Sequence, residues 1–211
     1  MDNKLHVWHD YVCPFSYVAA TRIARIKAAD HLQLDVRFHP WPLATHGSQP
    51  TASQESAWVR QLRTIEPDAF VHWNPSSGFW PIDSTLLFQA YEAAAAQSFE
   101  AAEKLDLLIR RSIFQHPRPL GMDELSRPAS EAGLDVGLFR AMLEDGAAQS
   151  RVAPSVQGNG QIRGIPTLLL PDGRTVLNPG LKIVRAPQGR AVCDDVEVLR
   201  ALLAEAAGAP A

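Results

Sequence analysis

The segment Cys13-Pro14-Phe15-Ser16 places a thiol, and a hydroxyl three residues on, where a helix should begin. Lys4–His9 before it alternates as a strand does, and Pro14 suits a first helical turn, where its missing N–H loses nothing. The unpaired N–H groups and the dipole of a helix N-terminus favour an anion, and a thiolate is one. A free thiol titrates at about 8.5, and lowering that to about 7 raises the nucleophilic fraction at neutral pH more than tenfold. The competing reading is a small apolar cysteine packed in a core. Position alone leaves both open.

The rest of the chain offers little other chemistry. The second cysteine, Cys193, is remote in sequence, and two cysteines are too few for a disulfide framework. Seven histidines are present, none at metal-ligand spacing, so no metal is expected. The sequence has no phosphate-cradling glycine loop and no Gly-x-Ser-x-Gly elbow.

The elements that must position Cys13 follow from periodicity. A helix is predicted from Ser16 to about Asp30, then a strand through Leu32, Leu34, Val36 and Phe38, which all share one face. Residues 40–56 read as loop. Helices are predicted at 57–64, 84–97, 99–114, 121–132 and 136–149, with Asp83 and Asp135 as caps and Gly133 as a stop. Strand signals return at Ile165-Pro166-Thr167-Leu168-Leu169-Leu170, and Pro171-Asp172-Gly173 turns the chain into a second strand at 174–177. Asp194 and Glu197 have capping-box spacing before a last helix, 195–206. The expected fold is α/β, with β-α-β and β-β-α halves separated by an all-helical insertion. Residues 1–40 and 155–211 would form the split core, and 41–154 the insertion. Neither half is large enough to bury a sheet alone.

Composition sets outer limits. The 211 residues are 46% apolar and 20% charged with net charge -3, as in an ordinary globular protein. The mild negative charge argues against a nucleic-acid partner. No apolar run reaches the ~18 residues of a membrane span. Met1-Asp2-Asn3-Lys4 leads straight into a strand without a signal-peptide core, so a cytoplasmic location is expected.

Strand, Cys-Pro-x-x, helix, helical insert, then Gly164-Ile165-Pro166-Thr167 opening a late strand resembles the DsbA-like branch of the thioredoxin superfamily. That branch includes FrnE-type oxidoreductases, kappa-class glutathione transferases and 2-hydroxychromene-2-carboxylate isomerases. Phe38-His39-Pro40-Trp41-Pro42-Leu43, Ser112-Ile113-Phe114 and Ala132-Gly133-Leu134-Asp135 follow in the family's order. The resemblance implies a thioredoxin-like fold, a cis Ile165–Pro166 peptide beside Cys13, and often a dimer. It further implies that His39, Trp41 and Trp80 flank the cleft and that Ser84 stands where relatives contact ligand. Tyr11, Pro14, Phe15, Ile165 and Pro166 complete the expected substrate-binding set, and Asp10 is a candidate for tuning the thiol.

The departure from the family is Ser16. A dithiol oxidoreductase has its second cysteine there, and a hydroxyl cannot resolve a mixed disulfide. The wording around Pro14-Phe15-Ser16-Tyr17 is closer to the isomerase and kappa-class branch, where a serine holds the thiol of glutathione. Here the chain supplies its own thiol at that position. The expectation is a redox-neutral isomerase in which Cys13 adds reversibly to a small, apolar, conjugated substrate, free or carrier-bound, with Ser16 as a donor to the developing enolate. No cofactor is required on that reading. The alternative is a monothiol oxidoreductase or thiol transferase that uses glutathione or mycothiol. A third is a binding module on a degenerate fold, indifferent to loss of Cys13.

Overall fold

A computed structural model of the protein describes residues 3–46, 51–73, 83–116, 118, 120–156, 162–187 and 189–208. Strand β1 (Lys4–His9) leads through a tight turn into helix α1 (Pro14–Ala29), and the chain returns as β2 (Asp35–Pro40). Leu32 and Leu34 precede β2 instead of forming part of it. β1 and β2 pair in parallel, with Trp8 opposite His39. The late strands β3 (Thr167–Leu169) and β4 (Thr175–Leu177) add antiparallel to the other side of β1, giving the order β2-β1-β3-β4. Trp8 pairs with Thr167, so Ile165 and Pro166, just before β3, reach the sheet end where β1 gives way to Cys13. The Ile165–Pro166 peptide is cis.

Among the described residues six α-helices lie between β2 and β3: α2 (Ala52–Ile65), α3 (Thr85–Ala95), α4 (Phe99–Phe114), α5 (Met122–Ala132), α6 (Val136–Glu144) and α7 (Ala147–Val156). α3 packs on α4 and α7, and both α3 and α4 bury small residues, Ala90, Ala93 and Ala94 on one and Ala101 and Ala102 on the other. Two expected elements differ. The single helix expected over 136–149 is two, because Gly146 adopts φ +79° and Asp145 Oδ1 accepts the Ala147 N–H (2.8 Å) to start α7. α2 begins at Ala52, inside the segment read as loop. Thr51 Oγ1 accepts from Gln54 N (3.2 Å), and Gln54 Oε1 accepts from Thr51 N (2.8 Å), a reciprocal cap.

The C-terminal half carries a hairpin that periodicity did not reveal, β5 (Leu181–Ala186) with β6 (Gly189–Asp194), before the last helix α8 (Val196–Ala206). The capping box expected from Asp194 does not form. Asp194 ends β6, and its Oδ1 accepts from Val196 N (3.2 Å) and from Arg22 Nη1 (2.9 Å). Buried Arg22 also donates to Glu66 Oε1 (2.6 Å) and to the Gly180 carbonyl (2.9 Å), so one guanidinium joins α1, the end of α2 and the hairpin. Gly180 lies at φ +74°, and a Cβ there would stand 2.9 Å from that of Leu199. Burial works against the Glu66 charge. The hydrogen bonds from Arg25 and Arg22 outweigh it and hold the carboxyl below its usual range.

Arg22→Met leaves Glu66 and the Gly180 carbonyl without that donor. We expect a loss of about 3 kcal/mol of unfolding free energy, read from urea denaturation.

Candidate functional site

The turn before α1 is built on the Asp10 side chain. Oδ1 accepts from Val12 N (3.2 Å) and from the Ser84 hydroxyl, and Oδ2 accepts from Leu43 N (2.7 Å). One carboxylate thus ties the 10–13 turn, the segment after β2 and the start of α3. Ser84 is the residue before α3, but its hydroxyl goes to Asp10 and the helix cap is taken by Asp83, whose Oδ1 accepts from Thr85 N (2.9 Å). Trp41 is held next to this turn by its N–H bond to the His9 carbonyl (2.8 Å).

Cys13 is the N-cap residue of α1, 7% exposed, and its carbonyl accepts from Tyr17 N (3.1 Å). The expected low-pKa thiolate is not what this setting produces. Burial pushes the thiol up to about 12, and the nearby Glu55 carboxylate adds to the rise. The Ser16 hydroxyl and N–H act in the opposite sense, and Asp10 adds a smaller increase. Desolvation outweighs the helix N-terminus because the whole thiolate charge would leave water, whereas the dipole offers only about half a charge. Ser16 Oγ is buried without a hydrogen-bond partner of ordinary geometry. Phe15 packs its ring against Trp58 of α2 (5.2 Å, nearly perpendicular), and Pro14 is buried at the helix start.

Glu55 was not anticipated. It sits in the first turn of α2, 3% exposed, and Oε2 has no hydrogen-bond partner. Burial, then the charge of Asp10, raises its carboxyl to about 8. The signal that could have located it is the Thr51-Ser53-Gln54 wording itself, since Thr-x-x-Gln starts a helix that turns Glu55 inward.

Other predicted residues fall elsewhere. The Tyr11 ring is 0% exposed, edge-on to His9 (4.9 Å) and beneath the Arg110 guanidinium (4.9 Å), so it belongs to the core under the site, away from any substrate surface. His39 turns to the other face of the sheet, where it stacks on Trp8 (4.8 Å) and shares a short N···N contact with His6 (2.7 Å). Burial, His6 and Arg37 push it down to about 4. Trp80 lies outside the described residues. Cys193 is exposed on β6, and both cysteines are free. Among the described residues no group of three His, Cys, Asp or Glu side chains could hold a metal ion. No helix among them is long and apolar enough to cross a membrane.

Beneath the turn lies a buried cluster with no exposure to solvent. Arg110 of α4 donates from Nε to Asp106 Oδ2 (2.7 Å) and from Nη2 to Asp106 Oδ1 (3.0 Å). It also meets His9 Nδ1 at 2.7 Å. A guanidinium can only donate, so Nδ1 accepts and the His9 ring is neutral. Burial and then Arg110 depress its pKa accordingly.

A carboxyl that titrates higher in the fold than in the unfolded chain stabilises at low pH, and that contribution is lost as pH rises. For Glu55 the loss runs up to about 8. His9 and His39 act in the opposite sense, only below about pH 6.5. We therefore expect stability to fall by on the order of 2 kcal/mol between about pH 6.5 and pH 8. Glu55→Gln should flatten that slope in denaturation curves.

This geometry can be set beside known proteins. The chain is 24% identical over 182 residues to YwbO of Bacillus subtilis (strain 168), a protein described as uncharacterized, covering 82% of this chain and 88% of that one. Its fold is similar to that of 2-hydroxychromene-2-carboxylate isomerase, with TM-score 0.62, 19% identity, and 82% and 88% of the two chains covered. It is also similar to that of the cytosolic disulfide reductase DsbM from Pseudomonas aeruginosa, with TM-score 0.59, 18% identity, and 96% and 97% covered. At those identities the likeness is one of fold. Residues 4–184, a span that runs from β1 into β5, match the DSBA-like thioredoxin domain, and the chain belongs to that family.

Proposed function

We propose that the protein is a cysteine-dependent, redox-neutral isomerase of the cytoplasm that acts on a small, apolar, conjugated carbonyl compound. The observation that carries this reading is a buried Cys13 thiol with Ser16 in the position of a resolving cysteine and the other cysteine exposed on β6. Thiol–disulfide exchange relies on a thiolate and a second thiol to release the product. Addition and elimination also draw on the sulfur anion, formed when a base takes the thiol proton, but they need no second thiol. A neighbouring base takes the S–H proton as the Cys13 sulfur bonds to the β-carbon of the enone, and the π pair moves to the carbonyl oxygen. The former double bond, now single, rotates. The enolate then re-forms the double bond and expels the sulfur, which takes the proton back. Nothing is oxidised or reduced, and no thiol cofactor is consumed. The Ser16 hydroxyl, buried beside the thiol, suits the enolate oxygen as a donor. Apolar residues beside the thiol, Phe15 and Trp58 among them, suit a flat apolar substrate.

A second reading is a monothiol oxidoreductase or transferase resolved by glutathione or mycothiol. It draws on the fold shared with DsbM, whose structure is also known with GSH.

The test follows conjugated Z enones and polyene acids by chromatography, without and then with added thiol. A fluorogenic disulfide with glutathione or mycothiol runs beside them. We expect isomerisation without added thiol, reduced about a thousandfold or more in Cys13→Ser. In Ser16→Ala we expect kcat to fall about a hundredfold with KM little changed. Disulfide turnover that needs glutathione or mycothiol and vanishes in Cys13→Ser, without isomerisation, would establish the second reading. Ligand binding that ignores Cys13→Ser would make the protein a binding module.

A further inference from the structure

Glu55 is buried in the first turn of α2, the helix whose Trp58 packs on Phe15 beside the thiol turn, at a cost in stability. A buried polar atom without a hydrogen-bond partner is destabilising, so packing does not account for it. No cation pairs with Glu55 among the described residues. Its placement is specific. The Thr51–Gln54 cap fixes where α2 begins, and Trp58, one turn after Glu55, seats its ring against Phe15, two residues after Cys13.

We propose that Glu55 is the proton carrier of Cys13, taking the thiol proton as sulfur attacks and returning it as sulfur leaves. The proposal rests on the reading of Cys13 as the nucleophile. In the forward step the S–H bond breaks and its proton passes to a Glu55 carboxylate oxygen. The sulfur pair forms the C–S bond, and the substrate π pair moves to the enolate oxygen. In the reverse step the enolate pair re-forms C=C and the C–S bond breaks to sulfur. The proton then returns from Glu55 to sulfur, and the balance closes without a co-reactant.

The groups that act on the thiol's charge are Asp10, Glu55, Ser16 and Arg110. Asp10 has both oxygens engaged by Val12, Ser84 and Leu43. Ser16 is a hydroxyl, too weak a base. Arg110 has no basic atom and is gripped by Asp106. His9 is committed to Arg110, and His39 to His6. Among these described groups, Glu55 alone offers an unengaged carboxylate oxygen. Its titration near 8 makes it a far stronger base than an ordinary glutamate, close to working pH.

The experiment uses the Cys193→Ser protein, which lacks the exposed thiol, and acrylamide as a neutral conjugated acceptor. Intact mass follows the adduct from about pH 6 to about pH 10, with peptide mapping to Cys13. We expect the rate to rise through a step near 8 and level off. Glu55→Gln should lose the step and react at least about tenfold more slowly on the plateau, and Glu55→Asp should restore a step. If Glu55→Gln reacts as fast as the parent or faster at every pH, the carboxylate only repels the thiolate and the proposal fails. Should Glu55→Gln not fold, a parent profile without a step near 8 overturns it equally. A Cys13 that stays unmodified at every pH overturns the nucleophile reading as well, whereas one that reacts without regard to Glu55 overturns this proposal alone.

Discussion

The site depends on one buried guanidinium. Arg110 brings α4 to the end of β1, where its bonds to Asp106 and His9 and its place over the Tyr11 ring fix the floor beneath the thiol turn. With the bond from Ser84 to Asp10, that contact anchors the helical segment at the sheet end that carries Cys13. The same contact sets the electrostatics. Asp106 takes two of the Arg110 donors, so little positive charge is left for the groups above. Burial then prevails at Asp10 and at Glu55, and both carboxyls rise as the thiol does. A reactive cysteine is usually explained by a nearby positive charge. Here the neighbours are acids, and the thiol keeps its proton until something removes it.

That arrangement separates two chemistries that one fold can host. A stabilised thiolate is a good leaving group and attacks disulfides readily. A protonated thiol paired with a proton acceptor is inert until a substrate fills the site, and its addition to an electron-poor double bond is reversible. Ser16 in place of a second thiol points the same way, since no covalent adduct could be discharged by an internal disulfide. The family match gives the framework, and these local groups select what is done with it.

Much of the framework was legible in the chain itself. The strand before Cys13, Pro14 in the first helical turn, the span of α4, the Gly133 stop and the Asp135 cap are all local signals, and each lies where the residues indicate. What was illegible depends on distant partners. The β5–β6 hairpin is exposed at most positions on both faces, so its residues show no alternation of apolar and polar. The start of α2 was hidden by a Ser, Thr and Gln composition that looks like a loop, although Thr51 and Gln54 spell its cap. Tyr11 and His39 were placed by the resemblance and by nearness to the thiol in sequence, and neither tells which way a side chain turns. The thiol's elevation follows from burial by α2, which no feature of Cys13-Pro14-Phe15-Ser16 encodes.

The triple engagement of Asp10 constrains how this protein could acquire new substrates. Its carboxylate is the common terminus for three backbone segments far apart in sequence, so an insertion or deletion in any one would strip a buried acid of a donor. The mouth of the site is therefore closed to change by loop length. Variation would have to proceed by exchanging side chains on a fixed backbone, as in a lock rekeyed by its pins. An engineer wishing to alter specificity would leave the lengths of the 10–13 and 41–43 segments untouched and diversify positions such as Phe15, Trp41 and Trp58, whose side chains can change without moving the main chain that Asp10 holds.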